Sequence, residues 1–329
     1  MSPKSHRRSF RASASVAPLA FAMFATCGPG CAPPSAPTQQ SDAESRRGPK
    51  TNFGEGADTP KVGAAKVGVA AEPAPAIEEA PGVDLSKLSP TQRTMFFQLL
   101  STEPSACGKP HSLATSLNED ATCRDSMIVA QFMADRLAGG ATPGDVKEEV
   151  VGVMDVLRVR EIPVEGRPVF GNPRAPVTVV VFADFECPHC RAEAPVLRQA
   201  VQQFRGQARL IYKHFPLSMH PRAKRAAVAT EAALAQGKFW EMHDQVFAHQ
   251  DALEDDDLMR YAKEIGLDMA AFEAHYEAST GLAVVEADRK DGDTLGFSGT
   301  PAVFVNGREY TPALFGGTVE GWIDDALRR

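Results

Sequence analysis

The chain has 329 residues, 43% of them hydrophobic and 23% charged, with 35 basic against 42 acidic side chains for a net charge of −7. That balance speaks against a nucleic-acid partner, whose phosphates call for a basic face. The length exceeds one small domain, and the composition shows where the excess lies.

Lys4, Arg7, Arg8 and Arg11 form a basic opening, and Val16 to Ala25 is an Ala-rich apolar segment too brief to span a bilayer. The pattern predicts a secretion signal over 1–31, and Arg7-Arg8-Ser9-Phe10 loosely resembles a twin-arginine export motif. Cys27 and Cys31 follow small residues after the apolar segment, which resembles a bacterial lipoprotein cleavage site without its usual upstream leucine. Two readings stay open: a lipid anchor on Cys27 or Cys31, or plain cleavage near Ala25. Residues 32–83 are rich in Pro, Ala, Gly, Ser and charge, with Phe53 the only aromatic. Such a segment buries too little apolar area to offset chain entropy, so a disordered tether is expected.

From residue 84 to 156 the pattern turns helical. Ser89-Pro90 precedes Met95, Phe96, Leu99 and Leu100; a second helix fits Thr122 to Leu137; and Thr142-Pro143-Gly144-Asp145 supplies a cap before Val146, Val150, Val153 and Met154. A small helical hairpin unit is expected, with Cys107 and Cys123 flanking its turn. In an exported protein these two suit a structural disulfide, which at this loop length contributes about 3 kcal/mol on the chain-entropy model. A second redox-active pair is the alternative.

A first strand is expected within Val156 to Val164, then a turn over Gly166 to Pro176. Val177 to Phe182 is an almost unbroken β-branched run that suits a strand covered on both faces. It leads directly into Cys187-Pro188-His189-Cys190 and a helical pattern from Ala192 to Phe204. Pro188 fits a first helical position, which places Cys187 at a helix N-terminus, where unpaired N–H groups and the helix dipole favour a negatively charged sulfur. Cys190 lies one turn further in. The arrangement suits thiol-disulfide exchange, with Cys187 the exposed attacking thiolate and Cys190 resolving the mixed disulfide. His189, between the two, can favour the thiolate; Asp184 and Glu186 are candidates for proton transfer. Zinc would need a second ligand pair, and haem attachment a His where Arg191 stands. No metal is expected, and no cofactor beyond the cysteine pair.

Ala208 to Phe215 reads as a third strand beside the central one, and Pro221 to about Asp293 as helical throughout. Ala302 to Val305 and Glu309 to Thr311 form a hairpin across Asn306-Gly307, before a last helix from Thr318. His214, His220, His243, His249 and His275 show no metal-ligand spacing, so packing or surface roles are expected for them.

FADFECPHC, HPRAKRAAVATEAALAQGKFWEMHDQVF and GFSGTPAVFVNG, in that order, resemble the DsbA-like thiol:disulfide oxidoreductases of the thioredoxin superfamily. The resemblance covers about 158–329. It implies an α/β thioredoxin fold over 157–329 with an inserted helical subdomain at about 217–293, preceded by the small helical unit and the disordered N-terminal tether. It also implies a cis-proline, Pro301, preceded by Thr300, facing the cysteine pair and binding substrate. The Pro188-His189 dipeptide is that of strongly oxidising members. The implied function is disulfide exchange with exported proteins in the bacterial cell envelope, in the periplasm, with a membrane redox partner and disulfide donation as the leading direction. An isomerase or reductase is the runner-up, and a non-catalytic peptide-binding or chaperone module the reading from another class.

Overall fold

The computed structural model describes residues 78–329. The expected signal segment with Cys27 and Cys31, and nearly all of the expected tether, lie outside the described residues.

Four helices come first: α1 (Pro90–Thr102), α2 (Leu113–Glu119), α3 (Arg124–Ala138) and α4 (Pro143–Leu157). Capping boxes start two of them. Ser89 Oγ accepts from Gln92 N–H while the Gln92 amide accepts from Ser89 N–H, and Thr142 and Asp145 reciprocate in the same way. Phe96, Leu99 and Leu100 of α1 pack with Val129, Met133 and Leu137 of α3 and Val146, Val150 and Val153 of α4, all buried at helical spacing. The expected hairpin is therefore a four-helix unit. Its extra member, α2, starts where the Ser112 hydroxyl accepts from Thr115 N–H. Cys107, before α2, and Cys123, at the start of α3, are joined by a disulfide with an S–S distance of 2.06 Å.

The remaining elements are β1 (Val169–Gly171), β2 (Val177–Ala183), α5 (Pro188–Gln203), β3 (Ala208–His214), α6 (Ala223–Leu234), α7 (Phe239–Ala248), α8 (Asp255–Glu264), α9 (Met269–Glu277), α10 (Leu282–Leu295), β4 (Ala302–Val305), β5 (Arg308–Glu309) and α11 (Val319–Arg328). The strands form one sheet in the order β1-β3-β2-β4-β5, with β2 and β3 parallel and the other pairs antiparallel. Central β2 feeds two cores. Val177, Val179 and Val181 face α5 and the insertion, while Val180 and Phe182 join Ile211, Phe215 and Phe304 on the other face. Helices α6 to α10 form the insertion between β3 and β4. Asn306 and Gly307, both at positive φ (46° and 80°), turn β4 into β5 as a two-residue hairpin requires.

One expected strand is displaced. Val156 and Leu157 finish α4, 158–164 is not a strand, and the first strand is Val169–Gly171, inside the expected turn. The 158–168 stretch is instead held as an extended strap. Arg160 N–H donates to Gly307 O at 2.8 Å, and buried Lys213 donates to Pro163 O at 2.7 Å. Lys213 Nζ is also 3.0 Å from Asp288 and 2.6 Å from Asp291 of α10, with Arg167 3.1 Å from Asp288. A buried ammonium among carboxylates and a carbonyl has its charge compensated, and it ties strap, sheet and insertion together. The four-helix unit meets the sheet edge through Asp125, which accepts two bonds from Arg308 (2.9 and 2.8 Å) and one from Arg329 (2.8 Å).

Candidate active site

β2 ends in a tight turn that sets the cysteines. Asp184 Oδ1 accepts from Glu186 N–H at 2.7 Å and Cys187 N–H donates to Asp184 O at 3.1 Å, so Cys187 becomes the residue just before α5, with Pro188 in its first turn. Gln250, after α7, donates to Phe185 O (2.7 Å) and Cys187 O (2.9 Å), pinning this turn from the insertion. Both thiols are free. Cys187 is only 4% exposed, less open than its sequence position suggests, because the loop before β4 covers it: its Sγ donates to Thr300 O at 3.3 Å. The Thr300–Pro301 peptide is cis. Pro188 and His189 are exposed, and His189 has no hydrogen-bond partner among the described residues.

Cys190 sits behind Cys187, 2% exposed, with Asp184 N–H donating to its Sγ at 3.5 Å. Burial, reinforced by the neighbouring Cys187, pushes its thiol up to about 12 against the helping hydrogen bonds. The two sulfurs therefore differ in kind: one lies at the mouth of the helix, and one is held protonated inside.

The carboxylates preceding the pair are occupied elsewhere. Asp184 is buried; its Oδ2 accepts from Leu217 N–H and lies 2.7 Å from His220 Nδ1. Glu186 Oε2 accepts from Arg222 N–H (2.5 Å) and Ala223 N–H (2.7 Å), capping the start of α6 with a charge that the helix dipole favours. Among the described residues neither carboxylate bonds to either sulfur. Asp184 thus shapes the turn, and Glu186 anchors the insertion to it.

Behind Cys190 lies an aromatic wall that sequence spacing does not reveal. Phe185 stacks on Tyr212 with ring centroids 5.3 Å apart, and His243 of α7 packs against Tyr212 (5.4 Å), Trp240 (5.0 Å) and Phe247 (4.8 Å). His220, His243 and Gln250 reach the site from the insertion, so their signal is long-range. The one local hint was the apolar face Phe239, Met242, Val246 and Phe247, on which His243 also falls. No cluster of His, Cys, Asp and Glu suited to a metal occurs among the described residues.

The fold and this site define a thioredoxin-type domain, and residues 164–325 match the thioredoxin family model. The matched residues take in the helical insertion, α6 to α10, as well as the cysteine pair. In sequence it is similar, at 40% identity over 182 residues, to the Na(+)/H(+) antiporter NhaA 3 of Salinispora tropica, a match covering 54% of this chain and 28% of that protein. The chain spans about a quarter of the length of such relatives. Among solved structures it is similar to oxidised BdbD from Bacillus subtilis (22% identity, TM-score 0.47, 52% of this chain and 98% of that one). A thioredoxin-like oxidoreductase from Silicibacter pomeroyi is 30% identical, with a TM-score of 0.43 over 50% of this chain and 92% of that one. No helix among the described residues is long and apolar enough to cross a membrane.

Proposed function

We propose that the protein is a thiol:disulfide oxidoreductase that exchanges disulfides with exported proteins of the cell envelope, donating them as its leading direction. The observation that carries this is the asymmetric pair: Cys187 at the start of α5 against Thr300 and Pro301, and Cys190 buried one turn behind. In the donating cycle a substrate thiolate attacks Cys187 Sγ of the Cys187–Cys190 disulfide, and Cys190 leaves and takes up a proton. A second substrate thiolate then attacks the substrate sulfur of the mixed disulfide, releasing oxidised substrate and leaving the dithiol. A membrane partner would restore the disulfide. The direction is supported by the Pro188-His189 dipeptide between the cysteines, which the resemblance in sequence links with strongly oxidising members. Thr300 and Pro301 are assigned to substrate binding. The Cys107–Cys123 disulfide suits an oxidising compartment, with Cys27 or Cys31 as the lipid site of an anchored form.

Cys190→Ala should leave Cys187 joined to its targets as isolable mixed disulfides, and recovery of none from the envelope would remove the reading. Equilibration with glutathione then tests direction. A potential as low as the roughly −270 mV of thioredoxin, together with efficient insulin reduction, would make the protein a reductase.

A further inference from the structure

We infer that His243, carried by α7 of the insertion, is the proton acceptor and donor for the resolving thiol Cys190. The inference rests on the oxidoreductase reading above and names a residue that reading leaves out. Cys190 must lose a proton before it can attack Cys187 Sγ and regain one when it leaves, yet it is sealed from solvent.

Two neighbouring spaces supply the path. The first is a small enclosed cavity against Cys190, lined also by Val181, Tyr212, His243 and Pro301, with about 10 Å³ of room for a water's centre, roughly one molecule. The second is an open groove of about 540 Å³ along α5, lined by Arg191, Arg198 and Asp244. Ala194, His243 and Phe247 line both, and His243 alone among them can carry a proton.

The charged and titratable groups around it set its form. From its own helix, Asp244 Oδ1 lies 2.9 Å from His243 Nδ1; from α5, Arg198 donates to Asp244 Oδ2 at 2.7 Å. Tyr212 and His214 pack from β3, and Cys190 and Glu193 line the cavity from α5. The carboxylate makes Nδ1 the protonated nitrogen and leaves the Nε2 lone pair available. Burial lowers the imidazole below its ordinary value against the pull of Asp244, so near neutral pH the ring is a base.

The other candidates fit less well. Burial holds the Tyr212 phenol far above its ordinary value. Asp184 already takes two backbone N–H groups and His220. Glu193 lines the same cavity but is part-exposed, so solvent also reaches it, and burial first, with Glu320 of α11 second, raises its carboxyl.

In the resolving step the Cys190 S–H bond breaks and its proton passes across the cavity to Nε2. The Cys190 sulfur then bonds to Cys187 Sγ as the bond from Cys187 to the substrate sulfur breaks, and the substrate leaves as a thiolate. Two electrons pass from the cysteine pair to the substrate. The donating direction runs the same transfer backwards.

The test follows the reduced full-length protein with glutathione disulfide by rapid acid quench and mass spectrometry, across pH. Cys187 attack gives a glutathione adduct, and Cys190 attack then consumes it. H243Q should form the adduct at the wild-type rate and consume it on the order of 10²-fold more slowly. D244N keeps the imidazole, withdraws the charge that raises it, and should move the inflection of the second step to lower pH; should H243Q fail to fold, this variant carries the test. A second step at wild-type rate in H243Q, slowing by E193Q instead, or an unmoved inflection in D244N overturns the inference. A wild-type protein that forms no adduct at all would remove the oxidoreductase reading and this one with it.

Discussion

The four-helix unit and the thioredoxin domain each start a helix on a cysteine, Cys123 before α3 and Cys187 before α5, and each of these residues is 4% exposed. Helix N-terminus and burial therefore do not separate them. What differs is the place of the partner sulfur. Cys107 comes from the far side of α2, 16 positions away, and the hydroxyls of Ser105 (3.6 Å) and Ser126 (3.0 Å) lie beside Cys123. Cys190 comes from the same helix turn as Cys187, and the backbone of Thr300, in the loop before β4, faces Cys187 Sγ at 3.3 Å. One pair fastens two segments, and the other lies within a single helix turn with both thiols free.

The sharpest way to break that contrast is to delete each pair in turn. Cys107→Ala with Cys123→Ala should cost about 3 kcal/mol, read from the urea midpoint, while exchange with glutathione continues at the wild-type rate. Slower exchange in a variant that remains folded would make the first pair an electron relay and erase the distinction. A smaller effect is expected at the hinge between redox turn and insertion. Glu186→Gln keeps the shape but loses the charge on two N–H donors at the start of α6, and should cost about 1–2 kcal/mol in thermal or urea unfolding. No loss at all would mean that the turn stands without this anchor.

The smallest effect concerns pH. Buried His243 has its value lowered by desolvation, so the unfolded chain binds a proton that the folded one declines. Stability attributable to this residue is full above about pH 6.5, the ordinary histidine value, and is lost as pH falls below it. In H243Q the dependence of unfolding free energy on pH near 6 should be shallower than in wild type. An equal slope would show that His243 is not held neutral by its surroundings.

Much of this was legible in local sequence because local chemistry decides it: the capping boxes at Ser89 and Thr142, Pro188 after Cys187, and Asn306-Gly307 in the hairpin all act within four residues. The misses have physical causes. Val156, Ile162 and Val164 suggest a strand, but α4 claims the first, while Ile162 and Val164 pack on the sheet's second core as a strap fixed through Lys213. Val169 to Gly171 is too short to signal a strand and forms because Val169 to Gly171 pair with Arg209 to Ile211 of β3. In the site, the cysteines and the loop at Thr300 and Pro301 could be placed from motif order, whereas His220, Gln250 and His243 could not. The hydrogen-bond partners of His220 and Gln250 lie 36 to 65 positions off, and Tyr212 packs on His243 from another element, so only the folded insertion brings them in.

Strand order also imposes a schedule on a chain that emerges N-terminus first. β2 finds β3 soon, Val177 opposite Ala208, but its other neighbour arrives late, with Val181 opposite Val303. For that interval Cys187 has its helix yet lacks the cover that the Thr300 loop gives it. Cys107 and Cys123 emerge earlier and need only a short loop to find each other, a closure far faster than the distant pairing of β2 with β4. The order of the chain thus lets Cys107 and Cys123 close on each other before β4 arrives beside Cys187.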